Sequence, residues 1–146
     1  MQIAEILRAK DRTIHTAQPG LPVRDAMSLL IAARISCLPV INDRQALVGI
    51  ISDKDIFREA FRDPLGFQGR LVEELMTEEV IVGLEDDEVG YIAAVMTQNR
   101  IRHIPIVRDN VLVGLVSIGD VVKSQMSAIH VENRYLWQYI NGQYPG

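Results

Sequence analysis

Two serine–aspartate pairs, Ser52 with Asp55 and Ser117 with Asp120, each set a hydroxyl three residues before a carboxylate. At this spacing the serine hydroxyl can cap the first turn of a helix while the carboxylate reaches back to the serine's own backbone N–H. Such a capping box stabilises a helix by about 1 kcal/mol. A helix start that follows a strand also gathers free N–H groups and the positive end of the helix dipole, which favour an anion. Both readings fit the residues, and neither excludes the other. The intervening residues differ: Asp53 and Lys54 in the first pair, Ile118 and Gly119 in the second. An anion near Ser52 would meet two carboxylates, partly offset by Lys54. Near Ser117 the approach looks more open, with Asp120 as the only acid of that first turn, so tighter binding is expected there.

A second set of candidates precedes two short apolar segments: Ser36 and Cys37 before "LPVI", Arg102 and His103 before "IPIV". Arginine offers fixed donors to phosphate and histidine can add charge near neutral pH, although a surface arginine and a hydrogen-bonded histidine at a strand start would look the same in sequence. Cys37 is the one cysteine, which excludes an internal disulfide and a multi-cysteine metal site. Nothing nearby in sequence would depress its pKa, so it reads as a small lining residue. His15, His103 and His130 show no metal-ligand spacing, and there is no phosphate-binding G-x-x-x-x-G-K-[ST] loop, G-x-G-x-x-G turn or H-E-x-x-H helix. No catalytic residue and no metal ligand is expected, and the protein is read as not an enzyme.

These residues are positioned by a repeat. Aligning "RISCLPVINDRQALVGIISDKDIFR" with "RIRHIPIVRDN-VLVGLVSIGDVVK" gives nine identities over 24 aligned positions, all in the same order. Each half opens with an amphipathic helical pattern: Val23, Ala26, Met27, Leu30 and Ile31 in the first, Val89, Ile92, Ala93 and Met96 in the second. Short strands are expected at "TIHT" and "EVIV" before these helices, and a hairpin and a last helix after them. The order in each half is strand, helix, strand, strand, helix. "DPLGFQGR", residues 63–70, concentrates Gly and Pro and reads as an exposed linker.

At 146 residues the chain has room for one domain or two small repeats sharing a core, and 48% apolar residues with few aromatics suit an aliphatic core. A net charge of −4 without a basic tract argues against nucleic-acid binding. The densest basic cluster, Arg8, Lys10 and Arg12, is explained as well by a solvated helix end. No apolar run approaches the roughly 18 residues of a membrane span. The N-terminus lacks the features of a signal peptide, so a soluble cytoplasmic protein is expected.

The duplicated strand, turn, L-V-G-h-h-S-x-x-D and helix resemble a tandem pair of cystathionine-β-synthase (CBS) domains, a Bateman module, over about residues 3–126. The ending "LWQYING" resembles the tail of small bacterial proteins made of a CBS pair and little else. The resemblance implies an α+β fold: two pseudo-symmetric β-α-β-β-α repeats packed through their central sheets. It implies clefts between the halves that take an adenine nucleotide (AMP, ADP or ATP), or in some members NAD(H) or S-adenosylmethionine. In such clefts Ser52 and Ser117 would approach phosphate, and Asp55 and Asp120 would accept the ribose hydroxyls. Ser36, Cys37, Arg102 and His103 would line the walls, while Thr13, Ile14 and His15 would edge the adenine. The organisation expected is repeat 1 with an N-terminal helix over 1–62, a linker over 63–70, repeat 2 over 71–126 and a helical tail over 127–146. The function expected is a nucleotide sensor that signals through a homodimer or a protein effector. The alternative is a protein–protein interaction module with vestigial clefts and no ligand. Val122, Ile129 and Leu136 recur every seven residues, as do Met126, Asn133 and Ile140, giving a mostly apolar seam for a dimer contact or for folding back on the same chain.

Overall fold

The duplication folds into two copies of one unit. The computed structural model describes residues 1–11 and 13–126, so Arg12, His130 and all of the seam beyond Met126 lie outside the described residues. The first unit comprises α2 (Val23–Ala33), β1 (Cys37–Ile41), β2 (Leu47–Ser52) and α3 (Asp53–Arg62). The second comprises α5 (Val89–Asn99), β3 (His103–Arg108), β4 (Val111–Ser117) and a helix, α6, over 118–126. Two short helices, α1 (Ile3–Ala9) and α4 (Val72–Leu75), precede the units.

Each unit has an antiparallel hairpin in matching register, with Cys37 opposite Ser52 and His103 opposite Ser117. The two hairpins meet through a bridge between Ala46 and Val111. The strands expected at "TIHT" and "EVIV" shrink to single parallel bridges, Ala17 to Val40 and Gly83 to Ile106. The cause is Pro39 and Pro105. The Ala17 N–H donates to the Pro39 carbonyl and the Ile41 N–H to the Ala17 carbonyl, and Gly83 is bonded to Pro105 and Val107 in the same way. The next rung toward the N-terminus would need an N–H from residue 39 or 105, and proline has none. Residues 13–16 and 79–82 are therefore left outside the ladder.

The helices bury the expected face with one exception. Val23, Ala26 and Leu30 of α2 are buried, but Ile31 is 76% exposed and lines one surface depression with the exposed Phe57 of α3. Both α2 and α5 end on an arginine in the left-handed conformation, Arg34 at φ 57° and Arg100 at φ 54°. The N–H of the next residue bonds back to Leu30 or Met96, closing the last turn as a Schellman-type cap.

The short helices exchange places. Ile3 and Ile6 of α1 are buried in the core of the second unit, with Val89, Ile92, Ile104 and Val116. Val72 of α4 is buried in the core of the first, with Val23, Leu38 and Ile51. The N-terminal helix, grouped with repeat 1 on sequence order, thus packs on repeat 2. The glycines of the repeated L-V-G are the docking points. A Cβ on Gly114 would lie 2.6 Å from Leu7 Cδ2, and one on Gly49 would lie 2.5 Å from Met76 Sδ and 3.1 Å from the Thr77 carbonyl oxygen. This exchange brings residues of one repeat's leading segment to the site of the other.

Candidate ligand-binding clefts

Both serine–aspartate pairs form capping boxes. The Asp55 N–H donates to Ser52 Oγ at 3.2 Å and the Ser52 N–H to Asp55 Oδ2 at 2.9 Å. The Asp120 N–H donates to Ser117 Oγ at 3.1 Å and the Ser117 N–H to Asp120 Oδ2 at 2.9 Å. Each helix start is also tied to the residues before the first strand of its hairpin, Asp53 N–H to the Ser36 carbonyl and Ile118 N–H to the Arg102 carbonyl, both at 2.8 Å. The hairpin register and these two bonds bring Ser36, Cys37 and Ser52 together in one unit, and Arg102, His103 and Ser117 in the other.

Two clefts open between the units, and each draws on both. The smaller, about 190 Å³, is lined by Ser36, Cys37, Ser52 and Asp55 from the first unit. From the second half of the chain come Thr77, Val80, Ile81, Arg102 and His103. The charges here are mixed. Arg102 lies 3.8 Å from Asp53, which offsets the extra acid of that first turn from across the cleft. Asp55 Oδ1 accepts a long hydrogen bond, 3.4 Å, from the Thr77 hydroxyl and lies 3.6 Å from the exposed Arg58 guanidinium. Burial, aided by the charge of Asp53 and opposed by Arg102, pushes the Cys37 thiol up to about 12, so Cys37 stays a protonated lining residue.

The larger cleft, about 530 Å³, is lined by Thr13, Ile14, His15 and Ile35 of the first half and by His103 and Ser117 of the second. Lys10 and Arg8 of the exchanged N-terminal segment add cations to its wall, and Arg108, also on the wall, is paired with Glu85. Burial, reinforced by the positive charge of Arg102, holds His103 below the ordinary imidazole value, so its ring is neutral at pH 7.

The approach to Asp120 is not open. Lys10 Nζ donates to Asp120 Oδ2 and to the Leu115 carbonyl, both at 2.7 Å. Burial raises the Asp120 carboxyl, but the hydrogen bond from Lys10, those from Ser117 and the charge of Lys10 together outweigh it and leave the pKa below the usual carboxylate value. The more open approach expected from Ile118 and Gly119 holds only for neighbours within one helical turn. The neighbour that matters is 110 residues away in sequence.

Every candidate residue named from the sequence lies on one of the two clefts except Asp120, which adjoins the larger one through Ser117 and Lys10. His103 faces both. Sequence reasoning noted Lys10 without assigning it to the site, and missed Ile35, Thr77, Val80 and Ile81. Val80 and Ile81 had a signal, since "EVIV" stands in the second half where "TIHT" stands in the first. Lys10 had only the basic cluster with Arg8 and Arg12, explained as well by a solvated helix end, and Thr77 had none, because the exchange of α1 and α4 is a tertiary event. Among the described residues no group of three His, Cys, Asp or Glu side chains is placed to hold a metal ion, and no helix is long and apolar enough to cross a membrane.

A duplicated α+β unit whose capped helix starts face the leading segment of the other copy defines a class: a paired-repeat module with two clefts between the repeats. The family follows from comparison. The CBS domain model matches residues 3–62 and 72–127, and the chain belongs to the CBS-domain family. It is 35% identical over 126 residues to the CBS domain-containing protein CBSX3, mitochondrial, of Arabidopsis thaliana, covering 84% of this chain and 61% of that protein. An inosine-5'-monophosphate dehydrogenase of Methanocaldococcus jannaschii is 32% identical over 77% of this chain, but only 22% of that enzyme is matched. The chain thus spans less than two thirds of the length of these relatives. Among solved structures, the CBS-domain containing protein ATU1752 from Agrobacterium tumefaciens superposes with a TM-score of 0.80 at 26% identity, covering 85% of this chain and 92% of that one. CBSX2 in complex with AMP gives 0.75 at 25% identity over 86% and 97% of the two chains. The CBS domain pair of MJ0100 in complex with 5'-methylthioadenosine and S-adenosyl-L-methionine gives 0.75 at 27% identity over 88% and 98%.

Proposed function

We propose that this chain is a regulatory module that binds adenosyl ligands in its two inter-repeat clefts and signals through a homodimer or a protein effector. The observation that carries the reading is the reciprocal build of the clefts. In each, a Ser with its Asp at a helix start faces the unladdered segment of the opposite half, Thr13–His15 across from Ser117 and Val80–Ile81 across from Ser52. Such a cleft offers backbone groups to an adenine, a carboxylate to a ribose diol and helix N–H groups to phosphate. The AMP and S-adenosylmethionine complexes of the two structural neighbours support this ligand class. Ile31 and Phe57, exposed together on α2 and α3, support a self-associating face, as do the exposed Phe61 one turn beyond Phe57 and Val122 and Met126 on α6.

The competing reading is an interaction module with vestigial clefts, in which both Ser–Asp pairs serve as helix caps alone. A thermal-shift series over AMP, ADP, ATP, NAD(H) and S-adenosylmethionine separates the two. At 100 times its Kd a ligand adds about 2.7 kcal/mol, a shift of several degrees for a protein of this size. No shift with any of the five would leave the interaction module standing, and light scattering that shows a monomer at tens of micromolar would remove the dimer.

A further inference from the structure

We infer that Lys10 is the specificity-determining residue of the larger cleft, selecting phosphorylated adenosyl ligands over bare nucleosides by releasing Asp120 to the ribose and turning its ammonium to the phosphate. The inference rests on the proposed binding of adenosyl ligands in this cleft. Its observations are the two 2.7 Å hydrogen bonds of Lys10 Nζ, to Asp120 and to the Leu115 carbonyl, at the wall of a cavity that also holds Arg8, His15 and His103.

The two clefts share the capped Ser–Asp pair and differ in what the exchanged segment delivers to the carboxylate. On Asp55 it delivers a hydroxyl, Thr77, at 3.4 Å. On Asp120 it delivers an ammonium at 2.7 Å, with the lysine side chain 34% and the aspartate side chain 20% exposed. Ribose hydroxyls that take Asp120 must displace this ammonium. A nucleoside gives nothing in return, so a half-buried cation loses its anion. A phosphate replaces the lost partner with a charge-assisted hydrogen bond. Lysine suits the exchange because its charge is compact and rides on a flexible four-carbon stem, whereas a guanidinium would stay committed to one planar geometry. The base of the stem is held in place, since Lys10 follows α1, whose Leu7 packs on Gly114 and whose Ile3 and Ile6 are buried.

The test is Lys10→Met, which keeps the stem and removes the charge. Titration calorimetry with adenosine and with AMP is run in an Asp55→Ala background, which deletes the ribose acceptor of the smaller cleft. Lys10→Met should weaken AMP roughly tenfold or more and strengthen adenosine several-fold, two effects of opposite sign. Equal changes for both ligands, or weaker adenosine binding, would overturn the role of Lys10 while leaving the clefts as adenosyl sites. If the unsubstituted chain binds neither ligand, the reading of the clefts falls and this inference with it.

Discussion

Substituting alanine at Gly49 tests whether the repeated L-V-G exists to dock the exchanged segments. Neither Gly49 nor Gly114 has a positive φ, so the backbone accepts alanine at both and the contacts decide the outcome. A methyl on Gly49 would sit 2.5 Å from Met76 Sδ and 3.1 Å from the Thr77 carbonyl oxygen. Ordinary contact needs about 3.5–4.0 Å, so Met76 must retreat by roughly 1 Å. Thr77 cannot follow freely, because its N–H and carbonyl are both bonded to Ile50, the residue beside Gly49. Overpacking of this kind costs about 1–3 kcal/mol. The loss of unfolded-chain entropy on replacing glycine returns about 0.4–1 kcal/mol. Gly49→Ala should therefore destabilise by roughly 1–2 kcal/mol, a fall in Tm of about 2–8 °C. At Gly114 the three atoms nearest the methyl all belong to the half-buried Leu7 side chain. There the two terms nearly cancel, leaving a loss below about 1 kcal/mol. Denaturant melts of both variants check the order, and Met76→Ala placed on Gly49→Ala should recover part of the loss. A cost at Gly49 no larger than at Gly114, with no coupling to Met76, would refute the docking argument.

Asp55→Ala removes the acceptor of the Ser52 N–H and should cost about 1 kcal/mol in thermal or urea melts, while Asp55→Asn, which keeps an acceptor, should cost less. His103 has a folded pKa below the unfolded value of about 6.5. The unfolded chain therefore takes up its proton first, and stability falls as pH drops through and below that value. A phosphate in the larger cleft favours the imidazolium, so AMP affinity should rise from pH 7.5 to pH 6 more steeply in the parent than in His103→Gln, and equal slopes would exclude His103 from the cleft's chemistry. The Cys37 thiol, 3% exposed and with its pKa pushed up to about 12, should react with a thiol reagent at pH 8 only on the unfolding timescale; rapid labelling of the native protein would contradict the buried placement.

The elements and their duplication are written in local patterns of residues. The order of Pro39, Gly49, Ser52 and Asp55 against Pro105, Gly114, Ser117 and Asp120 is enough to give two hairpins and two capped helices, because capping and pairing are satisfied by residues close in the chain. Local pattern also marked the leading segments "TIHT" and "EVIV", but read them as strands. Their limit was itself legible in Pro39 and Pro105, once each segment's partner strand is known to carry the proline. Which half each leading helix joins, and so what reaches each carboxylate, is settled by packing between distant parts of the chain. Ile3 and Ile6 would suit either core by hydrophobicity, a force without direction, and the choice falls to shape: Leu7 over Gly114 and Met76 over Gly49. That choice places Lys10 against Asp120 and Thr77 near Asp55, which no local pattern encodes.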